Sequence, residues 1–556
     1  MDYKDYLNRS KSQLEGTLDR LRRKNEDVLS TFGFTRDRQD YSKTVPDKGI
    51  ILTDSVFLAD GYGCGKADVR SVIEDYIAKR EAAGFKWYLL DLADTEGDST
   101  WSWMEVVAVL DVFNKQNRIG SPGNPVPLFI IGNDDVIPMP RIENPTPQVV
   151  GGEYLDADYR YAFESGGDEN DYSPFMGEPT FLVGRFPAPL AEGVEIRELS
   201  EYLERCRKLE EDGGMNIGNA SMVSTETWIP SSRDMVSDIP IVKVDSDSGL
   251  SVEGKLVLSP NLDLEEDELF DVFSGIEKKT DYLVFNLHGS DDPSAASYYG
   301  EDINRSYYPE GFRPALLEQN APRVLIATAC YGARFIGYDC DDSMLLSALY
   351  NGTLLFVGSC VTALGNPDGA GFSEYLVKLL NVYLHQGMPA GVALSKAKEV
   401  YYRDKTEVEG CEYTLFTNLE FNLFGNPMLA MKPVLPEDYV PKGTKDILGR
   451  TSIPTFKAEE YKVHSQRAKK SGGDILSQVR AEVDHGLDRI VQTIQEELYD
   501  RLGLQGTELD SVIEYGSPGK DRGYYFTFNR PCGKFLSKTI AKTDLYGNIR
   551  SVMETK

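Results

Sequence analysis

Short apolar runs alternate with longer amphipathic stretches from residue 48 onward, and this pattern predicts the fold of the first part of the chain. Apolar runs of about four to eight residues between turn residues are typical of buried strands, whereas apolar positions about 3.6 residues apart indicate helices. Strands that alternate with helices favour a parallel sheet covered by helices. The predicted strands are 49–53, 87–92, 127–131 and 180–183, and the predicted helices are 66–83, 103–116 and 191–210.

The same alternation restarts after a glycine-rich break at residues 211–218. The predicted fold class is therefore α/β, with two tandem units that each have a parallel-sheet core and helices on both faces. In this second part the predicted strands are 220–223, 282–287, 323–327 and 353–358, and the predicted helices are 264–276 and 314–319.

The two ends of the chain differ from this α/β region. The N-terminal segment has a helical pattern followed by a polar connector, and the C-terminal part has a linker rich in proline and lysine. A long helix is predicted at 468–502, and short antiparallel strands are predicted at 511–553. The predicted domains are an N-terminal segment at 1–47, a first unit at 48–212, a second unit at 213–435 and a C-terminal α+β extension at 436–556.

Length and charge narrow the function classes. The 556 residues exceed the roughly 250–300 residues that a single hydrophobic core supports. The chain has 59 basic and 89 acidic residues, a net charge of −30, which repels nucleic acid and anionic membrane surfaces and attracts cationic peptides. The charged N-terminus lacks the apolar stretch of a secretion signal, and no run approaches the ~20 apolar residues of a membrane span. We therefore expect a cytoplasmic protein with no nucleic-acid or membrane partner.

Two apolar runs end in reactive side chains. Residues 282–287 lead to His288 and Gly289, and residues 323–329 lead to Cys330. If the two runs are adjacent strands of a parallel sheet, both side chains face one crevice. An imidazole can deprotonate a thiol for nucleophilic attack. The backbone N–H groups of Gly289 and Cys330 are candidate donors to an oxyanion.

A structural interpretation of the same residues stands beside the catalytic one. Cysteine at a strand end is more often a small buried apolar residue, and histidine is more often a satisfied polar residue. The chain has only four histidines, however, and two such strand ends occur in succession. Its seven cysteines are scattered without a C-x-x-C pair, which predicts neither a disulfide framework nor a zinc site.

These two strand ends resemble the His-Gly and Ala-Cys motifs of caspase-like cysteine peptidases. Four further segments resemble the gingipain family in the expected order, from about residue 49 to residue 433. They are the strand and loop FIIGNDDVIP at 129–138, the Asp-x-x-Tyr segment YLDADYRYA at 154–162, the Gly-Arg-x-Pro segment PTFLVGRFP at 179–187 and the block FNLFGNPML at 421–429.

The resemblance implies a double caspase-like fold in which the second unit carries the His288 and Cys330 dyad of a cysteine endopeptidase. In gingipains a carboxylate of the first unit supports the histidine, which makes Glu143 and Glu153 the candidates for a third member. The Asp-x-x-Tyr segment implies a specificity pocket built on Asp158, with Asp156 as its rival. A buried carboxylate pairs best with guanidinium, so cleavage after Arg, or less well Lys, is expected. The alternative is that Asp158 bridges loops.

We predict no cofactor and no metal ligand set. The glycine-rich turn at 60–67 departs from a phosphate-binding loop because Asp60 replaces the first glycine and Ala67 replaces the hydroxyl residue that holds magnesium. The acidic segments at 291–292 and 339–342 lack the alternating spacing of a dedicated calcium site. Calcium remains an option only because gingipains bind it.

The ends of the chain depart from secreted gingipains, which carry a signal, a propeptide and an immunoglobulin-like domain. We therefore expect a regulated intracellular protease that acts on a few protein or peptide substrates, itself included. The C-terminal extension could fold over the acidic catalytic face, dock a regulatory protein or contain self-cleavage sites. The alternatives are a non-catalytic binding or scaffold protein with the same fold, since a fold does not fix a function, and a peptide ligase or transpeptidase.

Overall fold

The structure is a computed structural model of the chain. The residues that it describes are 46–95, 100–146, 150, 152–239, 255–258, 280–290, 292, 296–305, 307–409, 411–442, 461–466, 498, 504, 507–515, 523–532, 535–544 and 547–555.

Strands and helices alternate over most of the described chain. The strands are β1 Lys48–Thr53, β2 Lys86–Asp91, β3 Val126–Ile131, β4 Arg141–Glu143, β5 Tyr154–Asp156, β6 Phe181–Phe186, β7 Ala220–Ser224, β8 Lys255–Leu258, β9 Tyr282–Asn286, β10 Tyr298–Tyr299, β11 Glu310–Phe312, β12 Val324–Ala327, β13 Leu355–Ser359, β14 Leu364–Gly365, β15 Phe421–Gly425, β16 Tyr461–Gln466, β17 Glu508–Tyr515, β18 Gly523–Cys532, β19 Phe535–Asp544 and β20 Ile549–Thr555. The α-helices are α1 Ser55–Gly61, α2 Lys66–Ala82, α3 Trp103–Asn117, α4 Arg197–Glu211, α5 Ile229–Val236, α6 Leu317–Asn320, α7 Met344–Tyr350, α8 Phe372–His385, α9 Ala390–Glu409 and α10 Cys411–Glu420.

Ten of these strands form one sheet in the order β2-β1-β3-β6-β15-β13-β12-β9-β7-β8. Strands within each half are parallel, and β15 joins the halves because it runs parallel to β6 and antiparallel to β13. The predicted α/β core with a mainly parallel sheet is confirmed. The division into two tandem units stays a prediction, since the two sets of strands share one continuous sheet.

Buried apolar strands explain why the core forms where it does. Every residue of β3, β9, β12 and β13 is buried, as expected for strands covered by helices on both faces. Helix α3 illustrates a local signal: the Ser102 hydroxyl accepts a hydrogen bond from the Glu105 N–H, while the Glu105 carboxylate accepts from the Ser102 N–H. This reciprocal cap satisfies two backbone donors at the start of the helix.

A second, antiparallel sheet contains all five strands that the structure describes after residue 442. Its order is β14-β20-β19-β18-β17-β16, and every pairing in it is antiparallel. The prediction of antiparallel strands at 511–553 is confirmed. Strand β14 belongs to the loop that follows β13, so the C-terminal sheet is attached to the α/β core by β-sheet pairing.

Most predicted elements in the described residues appear within one or two residues of their predicted bounds. Helix α4 is an exception, because it begins at Arg197 rather than at residue 191. The helix predicted within the N-terminal segment and the helix predicted at 264–276 lie outside the described residues, as does nearly all of 468–502. None of the helices in the described ranges combines the length and apolar character that crossing a bilayer requires.

Candidate active site

Strand register places His288 and Cys330 at one edge of the main sheet. Phe285 of β9 and Ala327 of β12 are register partners in a parallel pair, and each reactive residue follows its partner by three positions. The Thr328 N–H donates to the Phe285 carbonyl at 3.0 Å, which extends the pairing beyond the strands. The two strand ends therefore present the imidazole and the thiol from equivalent positions.

Gly289 packs directly on the backbone of Cys330. A Cβ atom at Gly289 would lie 1.7 Å from the Cys330 carbonyl oxygen, so no other residue fits without displacement of the strand end. Among the described residues, the Gly289 N–H has no hydrogen-bond partner. It is therefore a donor beside the thiol, where an oxyanion hole would require one.

The Cys330 thiol is buried, with 6% of the residue exposed. The Ala363 N–H donates to its Sγ at 3.1 Å, and the Ala363 carbonyl oxygen lies 3.5 Å from the same atom. The next residue, Tyr331, has a φ of 53°, which is a conformation that side chains other than glycine rarely adopt. Strained backbone of this kind is frequent next to catalytic groups.

His288 is enclosed by aromatic rings and a carboxylate. Its ring centroid lies 4.3 Å from that of Trp228 and 5.9 Å from that of Tyr308. Its Nε2 lies 3.5 Å from Oε2 of Glu301, and both residues are 1% exposed. An imidazole in this setting is held in one orientation by packing and by the carboxylate.

Glu301 is the functional candidate that sequence reasoning missed. His288 and Tyr299 exchange two backbone hydrogen bonds of 2.8 Å each, so the chain loops out after His288 and returns beside it. Because alternate residues of an extended chain share a face, Glu301 comes back toward the imidazole. The only sequence signal was its separation of 13 positions from His288, which is weak among 89 acidic residues.

The ionised form of Glu301 is strongly favoured. Burial alone would raise its pKa, but the hydrogen bond and charge of His288 and the charge of Arg305 lower the pKa below the usual range of a glutamate. The Thr227 hydroxyl donates to Oε2 at 2.6 Å and the Tyr308 hydroxyl to Oε1 at 3.0 Å. A carboxylate with these donors can hold the His288 ring in one orientation.

Glu143 and Glu153, the candidates from the resemblance, lie elsewhere. Glu143 belongs to the hairpin of β4 and β5, where it is the register partner of Tyr154. The carbonyl of Glu153 accepts a hydrogen bond from the Asn144 N–H in the same hairpin. The carboxylate beside His288 is that of Glu301, from the second half of the chain.

Asp158 is engaged by the chain's own arginine. Its two carboxylate oxygens each accept a hydrogen bond of 2.7 Å from Arg185, and both residues are buried. Arg185 also donates to the carbonyls of Gly132 and Ile137. The Asp-x-x-Tyr and Gly-Arg-x-Pro segments are therefore joined by an internal ion pair, which matches the alternative role of bridging loops.

Asp156 instead lines a cavity next to Cys330. The cavity has a volume of about 220 Å³, and its wall includes Tyr331, which follows Cys330. Burial raises the pKa of Asp156 to about 6, against the opposing charge of Arg141, whose Nε lies 3.6 Å from Oδ1. The other lining residues are Arg334, Phe335, Ile336, Tyr338, Cys360 and Val361.

The acidic loop at 339–342 has no gathered set of ligands. Asp339 accepts a hydrogen bond from the Asp341 N–H, which is an interaction internal to the loop. Across the ranges that the structure describes, no three His, Cys, Asp or Glu side chains cluster in a way that could hold a metal ion. The residues present therefore do not fit a calcium site at this loop.

No protein-family model matches the chain, and no curated protein matches it either. Among solved structures, the chain resembles one from the Saccharomyces cerevisiae separase–securin complex, with 14% sequence identity and a TM-score of 0.28. The match spans 45% of this chain and 14% of the matched chain. A TM-score this low carries no argument, so the functional case depends on the geometry of the site.

Proposed function

We propose that this chain is a cysteine endopeptidase of the caspase-like type in which His288 and Cys330 form the catalytic pair. The observation that carries the proposal is the register of β9 and β12, which puts the two residues at equivalent strand ends. The Gly289 N–H beside Cys330 and the Glu301 carboxylate beside His288 add the two further parts that acyl transfer requires.

The reaction follows from these positions. His288 takes the proton of the Cys330 thiol, and Sγ forms a bond to the carbonyl carbon of the peptide while the oxyanion accepts from the Gly289 N–H. The C–N bond then breaks as His288 gives the proton to the leaving amine, which leaves a thioester on Cys330. Water attacks the thioester, its proton passes to His288 and then to the thiol, and the acid product leaves. Glu301 keeps the imidazole oriented in each step.

The cavity lined by Asp156 supports a preference for a basic side chain before the cleaved bond. It lies beside Tyr331 and Val361, whose backbones are joined by a hydrogen bond of 2.7 Å next to Cys330. Unlike Asp158, Asp156 is not bonded bidentately to an arginine of the chain in the contacts that the structure describes. A partly buried carboxylate in a cavity selects Arg or Lys by charge and, for Arg, by paired hydrogen bonds.

Cleavage of a positional peptide library tests the proposal. The wild type is compared with Cys330→Ala and with Cys64→Ala, which removes a thiol from the turn before α2. We expect cleavage after Arg or Lys by the wild type and by Cys64→Ala, and none by Cys330→Ala. The intact masses of the three proteins show whether the chain also processes itself. Equal cleavage by the wild type and Cys330→Ala would refute the proposal.

The burial of the dyad favours a second candidate, a binding or scaffold protein that keeps the fold without turnover. His288 is 1% exposed and Cys330 is 6% exposed, so both side chains are largely shielded from solvent. Absence of cleavage by every variant, together with a Cys330 thiol that no reagent labels, would favour this candidate over the peptidase.

A further inference from the structure

The sheet edge beside the nucleophile is a natural place for a substrate backbone. Ala363 contacts the Cys330 Sγ through its N–H, and the two residues that follow it form β14. An extended peptide that pairs with β14 would run directly past the thiol. Addition of a strand to an exposed sheet edge is a common mode of peptide recognition, in which backbone hydrogen bonds supply the affinity.

In this structure β20 occupies that edge. Leu364 is the register partner of Thr555, and Gly365 is the register partner of Glu554. Strand β20 is held on its other side by β19, so the whole C-terminal sheet is docked through these pairs. The chain's own C-terminal strand therefore takes the position at which a substrate strand would bind.

The side chain of Glu554 holds Trp228, the residue that packs on the His288 ring. Its Oε2 accepts a hydrogen bond of 3.0 Å from the indole N–H of Trp228, whose ring packs on the imidazole. Its Oε1 is paired with Arg305, and Glu554 itself is buried. A buried carboxylate with two donors of this kind anchors β20 firmly.

A second strand of the same sheet reaches the carboxylate that orients His288. Nη1 of Arg530, in β18, lies 3.3 Å from Oε1 of Glu301, and both residues are buried. Nearby, Cys532 of β18 packs with Tyr299, the register neighbour of His288. The C-terminal sheet thus contacts residues around the imidazole and residues next to the thiol.

We infer that the C-terminal sheet closes the active site by placing β20 on the β14 edge, as an intramolecular occupant of the substrate-backbone position. This inference rests on the proposed function, because it assigns the regulation of the same site. The site opens when β20 leaves β14, and an extended peptide or a protein that binds the C-terminal sheet competes with the closed arrangement. In this docked arrangement His288 is 1% exposed and Cys330 is 6% exposed.

The rate of Cys330 alkylation by iodoacetamide, followed by peptide mass mapping, tests the closure without requiring turnover. Two full-length variants weaken docking: Glu554→Ala removes the anchor, and Thr555→Pro introduces proline into the paired end of β20, where it cannot donate a backbone hydrogen bond. Thr555 follows the residues of β20 that are register partners of β19, so Thr555→Pro leaves those pairs in place. Asp510→Ala is the matched control, since Asp510 pairs with Lys538 within the C-terminal sheet.

We expect Cys330 to be alkylated roughly tenfold faster or more in both docking variants, and at the wild-type rate in the control. A tenfold change corresponds to the free energy that is lost with about one hydrogen bond to a charged group. Unchanged alkylation in Thr555→Pro would overturn the closure. The two proposals can fail independently. If the docking variants are alkylated faster but no variant cleaves peptides, the peptidase proposal is rejected and the closure proposal is kept. If the wild type and the docking variants cleave peptides equally and are alkylated at equal rates, the closure proposal is rejected and the peptidase proposal is kept.

Discussion

At the scale of single residues, the site depends on three carboxylates in different environments. Glu301 is buried against His288 and stays ionised, Asp158 is neutralised by Arg185, and Asp156 lies in a cavity with a raised pKa. The proposed function assigns them different roles: Glu301 orients the imidazole, Asp158 holds loops together and Asp156 recognises a basic substrate.

The role of Glu301 predicts a selective effect on turnover. Glu301→Gln removes the charge that orients and stabilises the imidazolium, so we expect kcat to fall roughly 100-fold with KM nearly unchanged. Glu226→Gln is the control, because its carboxylate accepts from the Ile303 N–H in the same loop region without contact to the imidazole in the contacts described. A rise in KM at constant kcat would instead indicate a role in substrate binding.

The raised pKa of Asp156 predicts a pH dependence of specificity. Below about 6 the carboxyl is mostly protonated and neutral, and above about 6 it is charged and attracts a cationic side chain. The ratio of kcat/KM for an Arg peptide to that for a matched neutral peptide should therefore rise as pH increases through about 6. Steady-state kinetics from pH 5 to about 8 measures this ratio, and Asp156→Asn should abolish the rise. If this ratio rises equally with pH in Asp156→Asn, Asp156 is not the residue that recognises the basic side chain.

The Asp158 and Arg185 pair predicts a loss of stability rather than of specificity. Asp158→Asn leaves a fully buried guanidinium without its counter-charge, which lowers the free energy of unfolding by about 3–5 kcal/mol. Urea unfolding compares it with Asp156→Asn, whose partly exposed site should have little effect. A normally stable Asp158→Asn that no longer cleaves after Arg would show that this carboxylate faces the substrate.

At the scale of elements, the two strand ends that carry His288 and Cys330 are closely constrained. Gly289 and the Cys330 backbone are in contact at a distance that excludes a side chain. Gly289→Ala should displace the strand end and reduce kcat/KM by roughly 100-fold, the order expected for a small misplacement of reacting groups. Gly369→Ala, which has open space around the added Cβ, should retain activity. Full activity of Gly289→Ala would contradict the close packing of these strand ends.

Strands β9 and β12 could be predicted from the sequence because a continuous apolar run that ends at a small or reactive residue is typical of a buried strand in a parallel sheet. The antiparallel strand β15 could not, since its place between β6 and β13 depends on partners that are distant in the chain. Glu301 was missed for a related reason: the backbone bridge between His288 and Tyr299 brings it back, and no periodic pattern marks that bridge. Asp156 and Asp158 are two positions apart, so the sequence does not tell which of them faces a substrate. The ion pair between Asp158 and Arg185 distinguishes them.

At the scale of the whole molecule, one ten-stranded sheet carries the candidate dyad and a second sheet pairs with β14 beside it. The core positions the thiol and the imidazole at adjacent strand ends, while β20 pairs with the edge beside the thiol. The excess of acidic residues gives the molecule a field that attracts basic peptides. The two proposals thus place catalysis on one sheet and latency on the other.

The central claim is that His288 activates Cys330 toward an acyl group. The most direct measurement is covalent labelling of the full-length Thr555→Pro chain by a peptidyl acyloxymethyl ketone that ends in arginine, with the label located by mass spectrometry. We predict one label per chain, on Cys330, which is lost in His288→Ala and kept in the control His464→Ala. Label spread over several cysteines, or equal labelling without His288, would contradict the account.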